Sequence, residues 1–90
     1  PLGAICIAPV MVAKVLQKMG RSGKVTGGFS EQITADIHSM GIETESVDAG
    51  DIVVDVKNKI VSTPAYVEAK SIKEAADGIE KLVTKVLEMI

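Results

Sequence analysis

Apolar and polar positions follow one another along this chain in several distinct rhythms. Leu2 to Ile5 is an unbroken apolar run around Gly3, which predicts a short strand buried on both faces. From Ile7 to Met19 the polar side chains are limited to Lys14, Gln17 and Lys18. Within that stretch Val12 and Leu16, and Met11, Val15 and Met19, recur at helical spacing. Pro9 is tolerated in the first turn of a helix and not in its interior, so this helix begins next to Cys6. Gly20 supplies the stop, and Gly20-Arg21-Ser22-Gly23 reads as a turn.

Lys24 to Thr26 predicts a short strand ended by Gly27-Gly28, and Ser30 is placed to cap a helix reaching Met40. Ile33, Ile37 and Met40 share one face of that helix, with Gly41 as its stop. Glu43, Glu45 and Asp48 alternate with Thr44 and Val47, the pattern of an extended segment near a sheet edge. Asp51-Ile-Val-Val-Asp-Val and Ile60-Val-Ser-Thr flank Lys57-Asn58-Lys59, a polar-tipped hairpin. The last element is the longest. Ser71 and Glu74 have capping-box spacing, and apolar residues from Ile72 through Leu82 to Ile90 then repeat at i, i+3, i+4. Asp77 and Lys81 stand at i,i+4 with the acid on the N-terminal side, which predicts a helical ion pair. Strands alternating with helices point to the α/β class.

Composition narrows the function classes. Ninety residues make one domain at most. Ten basic against twelve acidic residues give a net charge of −2, without the basic surplus of a nucleic-acid binder. Phe29 and Tyr66 are the aromatic residues, so the core is aliphatic and there is no stacking platform for single strands. One cysteine, Cys6, excludes an internal disulfide, and one histidine leaves no His/Cys set for zinc. No apolar run approaches a membrane span, so the expected setting is a reducing cytoplasm with no membrane partner. The chain opens on Pro1-Leu2-Gly3-Ala4-Ile5 without an initiator Met, already inside an apolar strand. That is the expectation for a chain whose N-terminus was removed, or for one piece of a larger protein.

Cys6 is the first candidate for chemistry. A buried strand turning sharply into a helix sets Cys6 at the helix N-terminus, where the positive end of the macrodipole favours a thiolate. The free amides there, Ile7 N–H foremost, are placed to hold an oxyanion. Strand, nucleophile, helix is the order of a nucleophile elbow. The alternative is a small buried hydrophobe, the common fate of a lone cysteine. His38 belongs to a solvated helix flank and is not the partner of Cys6. Asp51 and Asp55 fall at strand spacing on one face, where they orient a base or a cation, or simply line a hairpin edge. Gly20-Arg-Ser-Gly-Lys-Val lacks the spacing of a P-loop, and Gly27-Gly28 lacks the dinucleotide frame. Ser62, Thr63 and Pro64 end a strand, the edge at which open α/β sheets bind ligands, or else serve as a loop exit.

Gly3-Ala-Ile-Cys-Ile-Ala-Pro9, Asp51-Ile-Val-Val-Asp55, Asn58-Lys-Ile-Val-Ser-Thr-Pro-Ala-Tyr66 and Ala75-Ala-Asp-Gly-Ile-Glu-Lys-Leu-Val83 resemble the enhancing-lycopene-biosynthesis (sigma cross-reacting) proteins. These belong to the ThiJ/PfpI group of the class I glutamine amidotransferase-like superfamily. The resemblance covers nearly the whole chain and is weakest between Met19 and Ser46.

The resemblance implies a flavodoxin-like α/β sandwich in which residues 1–90 are the C-terminal segment of a single domain, beginning at the nucleophile-elbow strand. It implies Cys6 as nucleophile, the Ile7 amide at the oxyanion, and Thr63 and Pro64 beside the substrate. The associated activity is glyoxalase- or deglycase-like, on small aldehydes such as glyoxal, with no cofactor and no metal. Its non-catalytic alternative is a redox-responsive or regulatory module linked to isoprenoid biosynthesis. Many superfamily members carry His directly after the nucleophile; here that position is Ile7, as in this family. The family's cysteine is also approached by a glutamate from the N-terminal part, which these ninety residues lack. That part is the first expected partner, and a homodimer is compatible with the family.

Overall fold

The computed structural model describes residues 1–64 and 70–90, so the Ala65-Tyr66 end of the Asn58–Tyr66 motif lies outside the described residues. In chain order the elements are β1 (Leu2–Ile5), α1 (Ala8–Lys18), β2 (Lys24–Val25), α2 (Glu31–Ser39), β3 (Glu43–Thr44), β4 (Val53–Asp55), β5 (Ile60–Thr63) and α3 (Ile72–Glu88). The main sheet has the order β1-β5-β4. β1 runs parallel to β5, with Leu2 opposite Ile60 and Ile5 opposite Thr63. β4 runs antiparallel to β5, with Asp55 opposite Ile60, and this is the expected hairpin. β2 and β3 form a separate parallel pair.

Side chains alternate across the sheet, so each strand serves two layers. Ile60 joins Ala13, Leu16, Val25, Ile37 and Ile42 in a core beneath α1 and α2. On the opposite face Gly3 lies against Leu82 and Val86 of α3, where an added Cβ would meet Leu82 Cδ2 at 2.5 Å. Gly3 is therefore what allows α3 to approach β1. Each fully buried Leu or Ile contributes about 1.5–3 kcal/mol, and together these two layers hold the ends of β1 and β5 side by side.

The helix boundaries follow their capping chemistry. Ser30 Oγ accepts from Ile33 N–H at 3.3 Å and Ser71 Oγ from Glu74 N–H at 3.2 Å. Gly20 (φ 70°) and Gly41 (φ 77°) end α1 and α2 in the left-handed conformation that glycine adopts without a Cβ clash. α1 has no side-chain cap, and Pro9 sits in its first turn.

Three expectations are corrected. β1 is not buried on both faces: Leu2 (49% exposed) and Gly3, on opposite faces, are both exposed and only Ala4 is buried, because among the described residues β1 is an edge strand. Asp77 pairs with Lys73 (3.3 Å) rather than Lys81, and Lys81 reaches Asp51 (3.1 Å), an acid from outside the helix that stands in its place. Asp51 and Asp55 do not share a face either. β4 starts at Val53, leaving Asp51 exposed in the preceding loop, while Asp55 is buried. No helix among the described residues is long and apolar enough to cross a membrane.

Candidate active site

The site is built where β1 ends. Ile5 closes the strand, and the Cys6 N–H donates to the Thr63 carbonyl at 3.1 Å, extending the parallel ladder by one bond. At Cys6 the backbone turns to φ 64°, a left-handed conformation that side chains other than glycine rarely adopt. Ile7 follows in the helical region (φ −90°, ψ −14°) as the N-cap of α1, and its carbonyl accepts from Val10 N–H at 3.0 Å. The chain thus passes from strand to helix within two residues, leaving the half-buried Cys6 at the apex. The amides of Ile7 and Ala8 open the helix, where N–H groups have no intrahelical acceptor. Pro9, next in line, has no N–H to leave orphaned.

Thr63 lies beside this apex, and both it and the following Pro64 are buried. The Thr63 hydroxyl donates to the Asp51 carbonyl at 2.7 Å, with the Ala49 carbonyl at 3.5 Å. It thereby ties the loop before β4 to the end of β5. What Thr63 offers Cys6 is its carbonyl. Gly78 of α3 lets the helix sit directly on this loop, since a Cβ there would collide with the Ala49 carbonyl oxygen.

One strand residue earlier, Ser62 Oγ accepts from Thr26 N–H at 3.1 Å, and Thr26 Oγ1 accepts from Gly28 N–H at 3.0 Å. Thr26 and Ser62 are fully buried, so the Gly27-Gly28 turn is clipped onto β5 next to the elbow. Nothing in residue type or spacing singles out this link, which joins residues 36 positions apart.

Asp55 works elsewhere. Its carboxylate accepts from Lys24 N–H (2.9 Å), Asn58 N–H (3.1 Å) and Asn58 Nδ2 (2.8 Å). Burial alone pushes this carboxyl up, but the Asn58 side-chain and backbone bonds, the Lys24 amide and the Lys24 charge outweigh it. The group is held below its ordinary value of 3.8. It fastens the hairpin to β2. His38 is exposed and its Nε2 hydrogen-bonds Thr44 Oγ1 at 2.7 Å, as a solvated flank predicts. Among the described residues, no side chain hydrogen-bonds the Cys6 thiol.

No family model matches the chain. It is 36% identical, over 94 aligned residues, to the human glutamine amidotransferase-like class 1 domain-containing protein 3, mitochondrial. It is 34% identical to the mitochondrial ES1 protein homolog of Rattus norvegicus. Its fold superposes with a TM-score of 0.87, at 29% identity, on the crystal structure of an isoprenoid biosynthesis protein with an amidotransferase-like domain from Ehrlichia chaffeensis. Its homologues are glutamine amidotransferase-like proteins. The fold is accordingly the flavodoxin-like α/β sandwich of that domain, seen among the described residues as five strands, three of them in the main sheet, and three helices. The chain spans 35% of the length of the two curated relatives and 40% of the crystallised one, while 99% of its own length is matched.

Proposed function

We propose that this amidotransferase-like chain carries the nucleophile of a glyoxalase- or deglycase-like activity on small reactive aldehydes such as glyoxal. The supporting observation is Cys6 itself: a residue with a Cβ held at φ 64° between a strand and a helix. Backbone strain of this kind persists where the surrounding structure over-determines it, and it clusters at reactive sites.

In this reading the Cys6 thiolate attacks one carbonyl carbon of glyoxal, forming a C–S bond. The carbonyl electron pair moves onto oxygen, where the Ile7 amide steadies it. A base removes the proton from that carbon, and the proton is returned to the neighbouring carbon through an enediol, giving a glycolyl thioester. Water then cleaves the C–S bond, releasing glycolate and the thiol. The sum is glyoxal plus water giving glycolate and a proton, with no redox partner and no cofactor. Thr63 and Pro64 form the wall beside the reacting carbon. The base comes from the part of the domain beyond the matched stretch, so the ninety residues alone are expected to be inactive. A reducing compartment, the cytoplasm in our reading, keeps the lone thiol available. The test is glycolate production from glyoxal by the whole protein and by its Cys6→Ser variant. Equal turnover by both overturns the assignment.

The name of the crystallised relative, an isoprenoid biosynthesis protein, favours a second reading. In it Cys6 is a regulatory thiol: the thiolate takes one oxygen from a peroxide to become a sulfenic acid, and the peroxide is reduced to water or alcohol. A one-oxygen mass gain at Cys6 at low peroxide, without aldehyde turnover, selects this reading. Slow oxidation together with rapid turnover rejects it.

A further inference from the structure

Among the described residues four polar side chains are buried, and three of them, Thr26, Ser62 and Thr63, lie together at the end of β5 next to Cys6. The fourth, Asp55, belongs to the hairpin. A strand inside an α/β sheet is ordinarily aliphatic, and a hydroxyl buried in it is unfavourable unless bonded. β5 begins as such a strand with Ile60 and Val61 and then changes to Ser62 and Thr63.

Because side chains alternate along a strand, these two hydroxyls serve opposite faces. Ser62 shares the face of Ile60, beneath α1 and α2, and holds the amide that follows β2. Thr63 faces α3, where a Cβ on Gly78 would meet its Oγ1 at 2.9 Å. There the hydroxyl donates to the Asp51 carbonyl at 2.7 Å, 12 residues back along the chain. The same residue accepts the Cys6 N–H on its own carbonyl at 3.1 Å. Thr63 thus bridges the loop before β4 and the backbone of the elbow, its side chain committed to one and its main chain to the other. A valine would fill the same volume and break that bridge.

We propose that Thr63 is a positioning residue for the Cys6 thiol, acting through its hydroxyl on the loop and its carbonyl on the elbow. A left-handed backbone at a residue with a Cβ persists only where its surroundings hold it, and the bond that reaches the Cys6 N–H comes from the Thr63 carbonyl. Anchoring Thr63 fixes where that carbonyl stands, and so the direction in which Cys6 presents its sulfur beside the amides of α1. Reactive groups keep their geometry to about half an ångström only where their neighbours are locked by packing and hydrogen bonds of this kind. The proposal rests on Cys6 being the reactive thiol, and not on which substrate that thiol takes.

The test is the rate of Cys6 alkylation by iodoacetamide in the native whole protein, with amide exchange at Cys6 and thermal unfolding measured on each variant. Thr63→Val keeps the volume and removes the hydroxyl; Thr63→Ser keeps the hydroxyl and removes a methyl group. Alkylation is expected to slow at least about fivefold in Thr63→Val and to return to within about twofold of the unsubstituted protein in Thr63→Ser. The Cys6 amide should exchange about tenfold faster in Thr63→Val. Reactivity should follow the hydroxyl and not the order of the unfolding midpoints. If Thr63→Val does not fold, Thr63→Ala against Thr63→Ser makes the same comparison. Alkylation of Thr63→Val at the unsubstituted rate overturns the proposal, as does a serine variant as slow as the valine one, or a native Cys6 that iodoacetamide does not label. Alkylation that depends on the hydroxyl in a protein without glyoxal turnover supports the positioning role and rejects the aldehyde chemistry, so the two fail separately.

Discussion

Lys59 at the hairpin tip and Cys6 at the elbow are both non-glycine residues with left-handed backbone, at φ 57° and φ 64°. At Lys59 the neighbours account for it. Asp55 collects the Asn58 amides and the Lys24 N–H, Asn58 Nδ2 also donates to the Ser22 carbonyl at 2.9 Å, and the turn closes whatever side chain stands at 59. The Lys59 side chain is exposed. At Cys6 a strand and a helix impose the same backbone, but the side chain at the apex is a half-buried thiol beside the free amides of α1. The left-handed state costs an L-residue about 1–2 kcal/mol. The hairpin gains a turn from it, and the elbow gains the placement of one reactive atom.

The largest effect expected from separating the two sites is on turnover. Cys6→Ser in the whole protein should lower glyoxal turnover by about a thousandfold or more, while Lys59→Ser leaves it unchanged; a fixed-time glycolate assay reads both. Next comes the hairpin's anchor. Asp55→Ala leaves the Lys24 N–H and Asn58 amide without their acceptor and should lower stability by about 1–3 kcal/mol, measured by urea denaturation. Its pH dependence has a definite sign. Because the folded carboxyl is held below its ordinary value, its contribution is complete above the unfolded value of about 3.9. It is then lost as pH falls through the folded value. Asp55→Asn should flatten the stability profile in that acid range, and an unchanged acid slope would show that another group sets it. The smallest effect is relief of strain: Lys59→Gly should raise stability by about 0.5–1 kcal/mol with activity intact.

Much of the fold was legible in the sequence because it is written in local chemistry. Ser30, Ser71, Gly20 and Gly41 mark helix ends by capping and by glycine's access to positive φ, and the structure uses each in that way. Pro9 fixed the start of the first helix, and with it the strand-to-helix turn at Cys6. What escaped depends on partners distant in sequence. Asp55 and Lys24 are 31 residues apart, Ser62 and Thr26 are 36 apart, and Asp51 is 30 from Lys81. Periodicity cannot choose among such partners, which is why Asp77 and Lys81 looked like a pair and Asp51 and Asp55 like a shared face. Apolar spacing also cannot say whether a face is covered. Val12 and Leu16 belong to the packed side of α1, whereas Met11, Val15 and Met19, equally regular, remain exposed beside the β1 edge.

The most direct test of the elbow's role is a paired measurement on Cys6→Gly in the whole protein. If the left-handed backbone at Cys6 is retained for the thiol, glycine should raise the midpoint of thermal unfolding, as at Lys59, while glyoxal turnover disappears. Turnover that survives the substitution would contradict the account.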